Sequence, residues 1–307
     1  MNSSIEVNVK YLISVLSILL FSLTVSAEKL HTDEKQKAQI SVCQMEEAKY
    51  GFRIELANLL LKKTASYYGN AHLAPFREET LSISQDRCMV LLEQQKVDVL
   101  YLPPKTELLS RFDYIPFDMH AGMLGYRVFL IREEDKARFK QVKTLEDLRN
   151  FTGGFGSQWG DFKVFGLNDL PVVGAANTSV LMNMLQHGRF DYFHRGLHEA
   201  WAELAFETQQ NEGLVVEESL ALRYPFQVYF WFHPENQKLK QRFETGLILA
   251  LQDGSYHRLF SEYFDDTVQK AGLDKRTIID IEYPVSSEVS HWVSEVNHPP
   301  FWIETER

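Results

Sequence analysis

Two periods of apolar and polar positions alternate along this chain. Residues 38–43 (AQISVC) are a short apolar run that predicts a strand. Residues 50–64 carry Ile54, Leu56, Ala57, Leu60 and Leu61 at helical spacing and predict an amphipathic helix. The alternation continues with a strand at 72–76, a helix at 84–95 with Ser84 as its cap, and an apolar strand at 97–102 closed by Pro103-Pro104. Strand, helix, strand, helix, strand is the βαβ signature of a parallel sheet.

The pattern then restarts. Residues 125–132 (GYRVFLIR) predict a strand, and Thr144 to Asp147 a capping box. A Gly-rich turn spans 153–159, and a helix is expected to begin at Asp161. A strand at 172–175, a helix at 178–188, a short strand at 190–193 and a new helix from about Leu197 complete a second α/β unit. Residues 226–233 (FQVYFWFH) form a further strand, followed by helices at 236–251 and 257–264. The tail beyond Gly272 is expected to be irregular, with Pro299-Pro300-Phe301-Trp302 packed on the body because exposed aromatics are costly.

The start of the chain reads as a targeting segment. Residues 11–25 are apolar and uncharged, Lys10 precedes them, and Val25-Ser26-Ala27 supplies small residues for cleavage. This predicts a secretory signal peptide over residues 1–27, a mature chain from Glu28, and a periplasmic destination. No Cys stands at the cleavage point to accept a lipid, and no later stretch is long and apolar enough for membrane insertion. The formal net charge of -10 argues against nucleic acid or an anionic membrane as partner. Cys43 and Cys88 form an even pair in an exported chain, which suggests a disulfide; two buried free thiols are the alternative. His194-x-x-x-His198 lacks the Glu of a zinc protease motif, and there is neither a Gly-x-Ser-x-Gly elbow nor a phosphate loop, so no metal or cofactor is expected.

Several stretches carry a resemblance. Lys96-Val97-Asp98-Val99, Thr106-Glu107 and Arg111 to Phe117 follow one another in order. Gly188-Arg189-Phe190-Asp191 comes later, and Pro234 to Phe264 contains Asp253-Gly254-Ser255-Tyr256 and Tyr263-Phe264. This order resembles the type 2 periplasmic solute-binding proteins, in particular the branch that binds polar amino acids. The resemblance covers nearly the whole mature chain up to about Phe264. It implies a two-lobed α/β fold, each lobe a mostly parallel sheet flanked by helices, with two crossing strands as hinge. Lobe 1 would take residues 28–122 and 225–270, lobe 2 residues 123–224, and residues 271–307 would form the tail.

The chain also departs from that pattern. Leu109 stands where the amino-acid binders place the Arg that clamps the α-carboxylate, and Arg111 lies two residues further on. His194-Arg195-Gly196 stands where they place the acid that holds the α-amino group, and Gly154 to Asp161 replaces their anion loop. These departures point away from an ordinary free α-amino acid as ligand.

Candidate ligand residues are read against plainer roles. Arg195, at a strand end, is a fork for an anionic group, or the partner of Glu199 one turn on. Trp159 is an apolar wall of the cleft or a core aromatic. Gly160 and Asp161 offer backbone N–H groups at a helix start, unless Asp161 occupies that end itself. Arg127 reaches the cleft or pairs with an acid. Lys105 and Thr106 donate from lobe 1 or sit in a solvated turn. Tyr50 heads the first helix, where the family often places an aromatic lid.

The expected function is a periplasmic binding protein that closes on a small polar, anionic ligand. It would pass that ligand to an ABC permease or present it to a sensor. The alternatives are a dehydratase-like enzyme on the same fold, with His194, His198 or Glu199 as acid or base, and a ligand-free interaction protein.

Overall fold

In a computed structural model of the protein, residues 38–76, 84–207, 213–283 and 302 are described. The signal peptide and Pro299 to Phe301 lie outside the described residues. Lobe 1 begins with β1 (Ala38–Val42), the helix α1 (Glu47–Lys63) and β2 (Ala71–Pro75). β1 and β2 pair in parallel, Ala38 with Ala71 through Val42 with Pro75. α2 (Gln85–Glu93) follows, capped by the Ser84 hydroxyl, which accepts from the Arg87 amide. β3 (Leu100–Leu102), a short helix Thr106–Arg111 and β4 (Asp113–Tyr114) complete the outward run.

Lobe 2 opens with β5 (Tyr126–Arg132), which is buried but for its last residue. β6 (Gly153–Gly156) and β7 (Val172–Ala175) pair in parallel. α3 (Thr178–Gln186) leads through β8 (Phe193–Gly196) into α4 (Leu197–Glu207). β9 (Leu214–Val216) and β10 (Leu220–Arg223) return along β5, and the sheet runs β10-β5-β8 with β9 also on β5 and the last strand, Thr277–Asp280, outside β10. The chain then re-enters lobe 1 as β11 (Tyr229–Phe232), which lies between β3 and β4. It continues as α5 (Gln237–Gln252) and α6 (Ser255–Ala271) and ends in β12 (Thr277–Asp280). α5 lies close on α1: a Cβ on Gly246 would stand 2.6 Å from the carbonyl oxygen of Leu60. Glycine is what permits this approach.

The structure corrects the sequence reading at four points. The pairing is mixed rather than mostly parallel, because the return strands β10 and β11 run antiparallel to β5 and to β3 and β4. The strand expected at 190–193 lies at Phe193–Gly196, because His194 and Arg195 are buried in the sheet despite their polarity. The chain beyond Gly272 is not irregular: Thr277-Ile278-Ile279-Asp280 adds β12 in parallel to β10. Finally, Cys43 and Cys88 are free and fully buried. The pair lies 2.8 Å apart, against roughly 2.05 Å for a disulfide bond.

The two crossings between the lobes run side by side. The Tyr224 amide donates to Gly125 O at 3.1 Å and the Met119 amide to Val228 O at 3.0 Å. Asp118 ties both crossings together: its carboxylate accepts from the amides of His120 (3.2 Å), Gly122 (2.6 Å) and Val228 (3.1 Å). Ala121 and Gly122 both have positive φ, 48° and 80°. The glycine adopts this conformation freely and the alanine does so at a cost.

Candidate functional site

The groups of interest lie where the first turns of α1 meet β3, at the crossings and at the start of α4. Arg53 is half-buried, on the same helical face as Tyr50 and Ala57, which are buried. Its Nη1 donates to Tyr101 O at 3.3 Å, and the guanidinium lies over the rings of Tyr50 (5.4 Å) and Tyr101 (6.0 Å). Nε is buried without a hydrogen-bond partner, and no carboxylate pairs with Arg53 among the described residues. Burial makes the charge costly and pushes the group's pKa down. The hydroxyl of Tyr101 and Nδ1 of His120 are likewise buried without partners. A buried cation of this kind costs several kcal/mol unless an anion meets it.

α4 begins with His198 and Glu199, and the His198 side chain is 40% exposed. Burial pushes its imidazole pKa down, Glu199 opposes that, and the cations of Arg127, Arg53 and Arg195 add to it. Burial alone would raise Glu199. Arg195, His198 and Arg127, with the Gly196 amide at 3.0 Å, outweigh it and hold the carboxyl at about 2.

The other candidates fall into four places. Tyr50 lies beside Arg53, its hydroxyl accepting from Gln44 Nε2 at 2.9 Å. Arg127 is a knot of the hinge: Nε donates to the Tyr224 hydroxyl and Nη1 to Leu124 O, each at 2.6 Å, and Nη2 lies 3.5 Å from Asp161. Asp161 also accepts from the Tyr224 hydroxyl at 2.8 Å. The helix expected from Asp161 starts only at Lys163, so the Gly160 and Asp161 amides precede it. Arg195 donates through Nε and Nη2 to Glu203 at 2.6 and 2.5 Å, and Nη2 lies 3.1 Å from Glu199. Trp159 covers that guanidinium at 4.8 Å. Lys105 and Thr106 are exposed at the tip of lobe 1, with Lys105 only 3.8 Å from Asp86.

Sequence reasoning missed Arg53, Tyr101 and His120. The available signal was a cation on the apolar face of an amphipathic helix, three residues after Tyr50 and four before Ala57.

With two lobes, two side-by-side crossings and a cleft at strand ends, the chain has the fold of the type 2 periplasmic solute-binding proteins. Among solved structures it is similar to the probable amino-acid ABC transporter extracellular-binding protein YtmK of Bacillus subtilis. The identity is 14% over 75% of this chain and 99% of that one, with a TM-score of 0.53. YckB of Bacillus subtilis is similar at 15% identity over 81% of this chain and 98% of that one, with a TM-score of 0.52. At these identities the likeness is one of fold. No protein-family model matches the chain, and the search of curated proteins finds no match. No described helix is long and apolar enough to cross a membrane.

Proposed function

We propose that the protein is an exported solute-binding protein whose lobes close on a small polar ligand bearing an anionic group, a carboxylate above all. Arg53 is the observation that carries this reading. It is a half-buried cation with an unpartnered Nε, near the rings of Tyr50 and Tyr101, with no carboxylate paired to it among the described residues. A planar anion would complete its hydrogen bonds and offset the cost of its burial. Glu199, held ionised opposite, suits a positive group on the same ligand, and His198 a polar one. Arg195 then serves as a positioning residue that keeps Glu199 charged and in place. Amino-acid-like zwitterions fit this pair of walls, and the amino-acid transport context of the solved structures supports their place in a screen. Closure would hand the ligand to an ABC permease or a sensor.

The test is a thermal-shift screen of the mature protein against amino acids, small organic acids, sugars and peptides, repeated on Arg53→Met. A ligand that binds only the folded state at a hundred times its Kd adds about 2.7 kcal/mol of stability. We expect carboxylate-bearing compounds to raise the melting temperature of the wild type and not of Arg53→Met. Equal responses in both proteins would remove Arg53 from the site. A response to neutral sugars alone would overturn the anionic ligand.

A further inference from the structure

The chain that follows α6 touches both crossings. After β12 joins the lobe 2 sheet, the side chain of Asn168 fastens the next turn. Its Nδ2 donates to Glu282 O and its Oδ1 accepts from the Glu282 amide, both at 2.8 Å. Tyr283 then stacks on Tyr224, with centroids 5.3 Å apart and planes 5° apart, and meets Phe226 edge-on at 5.9 Å. These two rings flank Pro225 in the second crossing, and Tyr224 is the hydroxyl that joins Arg127 to Asp161.

Trp302 does the same at the first crossing. It is only 7% exposed. Its indole N–H donates to Ala121 O at 2.8 Å, at the residue whose φ is +48°. Its ring meets Tyr126 of lobe 2 at 5.5 Å and Phe260 of lobe 1 at 6.2 Å. The indole therefore has neighbours on either side of the bend.

We propose that Tyr283 and Trp302 together strap the hinge, two aromatic contacts that hold the angle between the lobes. Two lobes joined by two adjacent crossings turn about them by changing a few backbone torsions. Ala121 to Gly125 and Tyr224 to Phe226 are where such a change must occur, and both lie under an aromatic ring of the strap. Tyr283 comes three residues after β12 on the lobe 2 sheet, and Trp302 lies between a strand of lobe 2 and a helix of lobe 1. Turning the lobes therefore separates Trp302 from Tyr126 or Phe260, and Tyr283 from Tyr224 or Phe226. Each lost aromatic contact costs its buried area and its ring-on-ring attraction, so the strapped angle is favoured until that cost is met.

The test needs no ligand, so it stands or fails apart from the ligand reading. Tyr67 and Phe206 are exposed, at 75% and 84%, on lobes 1 and 2 respectively. In the full mature chain, Tyr67→Cys and Phe206→Cys accept spin labels while the native cysteines stay buried, and pulsed dipolar spectroscopy reads the distance between lobes. We expect one narrow distribution with the strap intact. Trp302→Ala and Tyr283→Ala should each give a broadened or second population, and Trp302→Phe, which keeps a ring but loses the N–H bond to Ala121, a smaller change. Trp302→Phe leaves the seat filled and so keeps the test open if the alanine variants do not fold. Coincident distributions in the parent and in every folded variant would overturn the strap.

Discussion

Arg195 and Glu203 form a two-pronged ion pair, Nε to Oε2 at 2.6 Å and Nη2 to Oε1 at 2.5 Å, beneath the ring of Trp159. The guanidinium is thus engaged within its own lobe, and through Nη2 it also steadies Glu199. Arg195→Ala leaves two carboxylates without their cation. With the Arg side chain 10% and the Glu203 side chain 25% exposed, the expected loss is about 2–3 kcal/mol, below that for a fully buried pair. Urea unfolding at pH 7 measures it. The same change lets Glu199 rise from about 2. A depressed carboxyl adds stability that is present above about pH 4.5 and is lost as pH falls toward 2. That acid limb should therefore flatten in the variant, and an unchanged limb would count against the coupling.

Asp118 is the point where the crossings are fastened to each other, through three backbone amides. Its carboxyl is buried, and burial pushes its pKa up despite those donors. Asp118→Ala leaves the buried donors unmet at roughly 1–3 kcal/mol each. A total loss of about 3 kcal/mol is expected in urea midpoint with the slope unchanged. Asp118→Asn keeps one acceptor oxygen and should lose less. A loss no larger than that of an exposed substitution would mean that the crossings are held elsewhere.

The parts of the fold that could be read from sequence are those where apolar runs coincide with burial. The stretch 226–233 contains β11, which is buried along its length, and 125–132 contains β5. The misplacement of β8 has a physical cause. His194 and Arg195 look like the polar end of a strand, but Phe155 and Phe165 both pack against the one, at 4.6 and 5.1 Å, and Glu203 neutralises the other. Such burial depends on partners distant in sequence, so no local period signals it. Of the candidate residues, Arg127 joins Tyr224 and Asp161 at the crossings, and Arg195 is held by Glu203 under Trp159. Arg53 was hidden inside a well-formed helix, and its contacts with Tyr50 and Tyr101 follow only from where β3 runs.

The cysteines offer a simple chemical check. The neighbouring Cys88 thiol and then burial push the Cys43 thiol up, well above its ordinary value. Thiols so placed are poor nucleophiles. Ellman's reagent should therefore find no reactive thiol in the native protein and two after denaturation. Rapid reaction in the native state would contradict their burial. No reaction after denaturation would mean that the two sulfurs are bridged in the isolated protein.

His194 sets an acid limit to stability. The ring packs against Phe155 and Phe165, neither nitrogen has a partner, and burial together with Arg127 and Arg195 holds it neutral, its pKa well below the ordinary value. In the unfolded chain the same group takes up a proton near pH 6.5. Its depressed folded pKa therefore gives stability that is whole above about 6.5 and declines as pH falls, by up to about 1.4 kcal/mol per unit. His120, buried beside Arg53 and His198, adds a second loss of the same sign. The melting temperature should thus drop between pH 7.5 and 5.5. His194→Phe keeps the stacking, removes the two unpartnered nitrogens and takes one proton uptake out of the balance. The variant should match or exceed the wild type at pH 7.5 and gain on it by about 1 kcal/mol at pH 5.5. Parallel pH profiles for the two proteins would show that the His194 imidazole is protonated, or partnered, in the folded state.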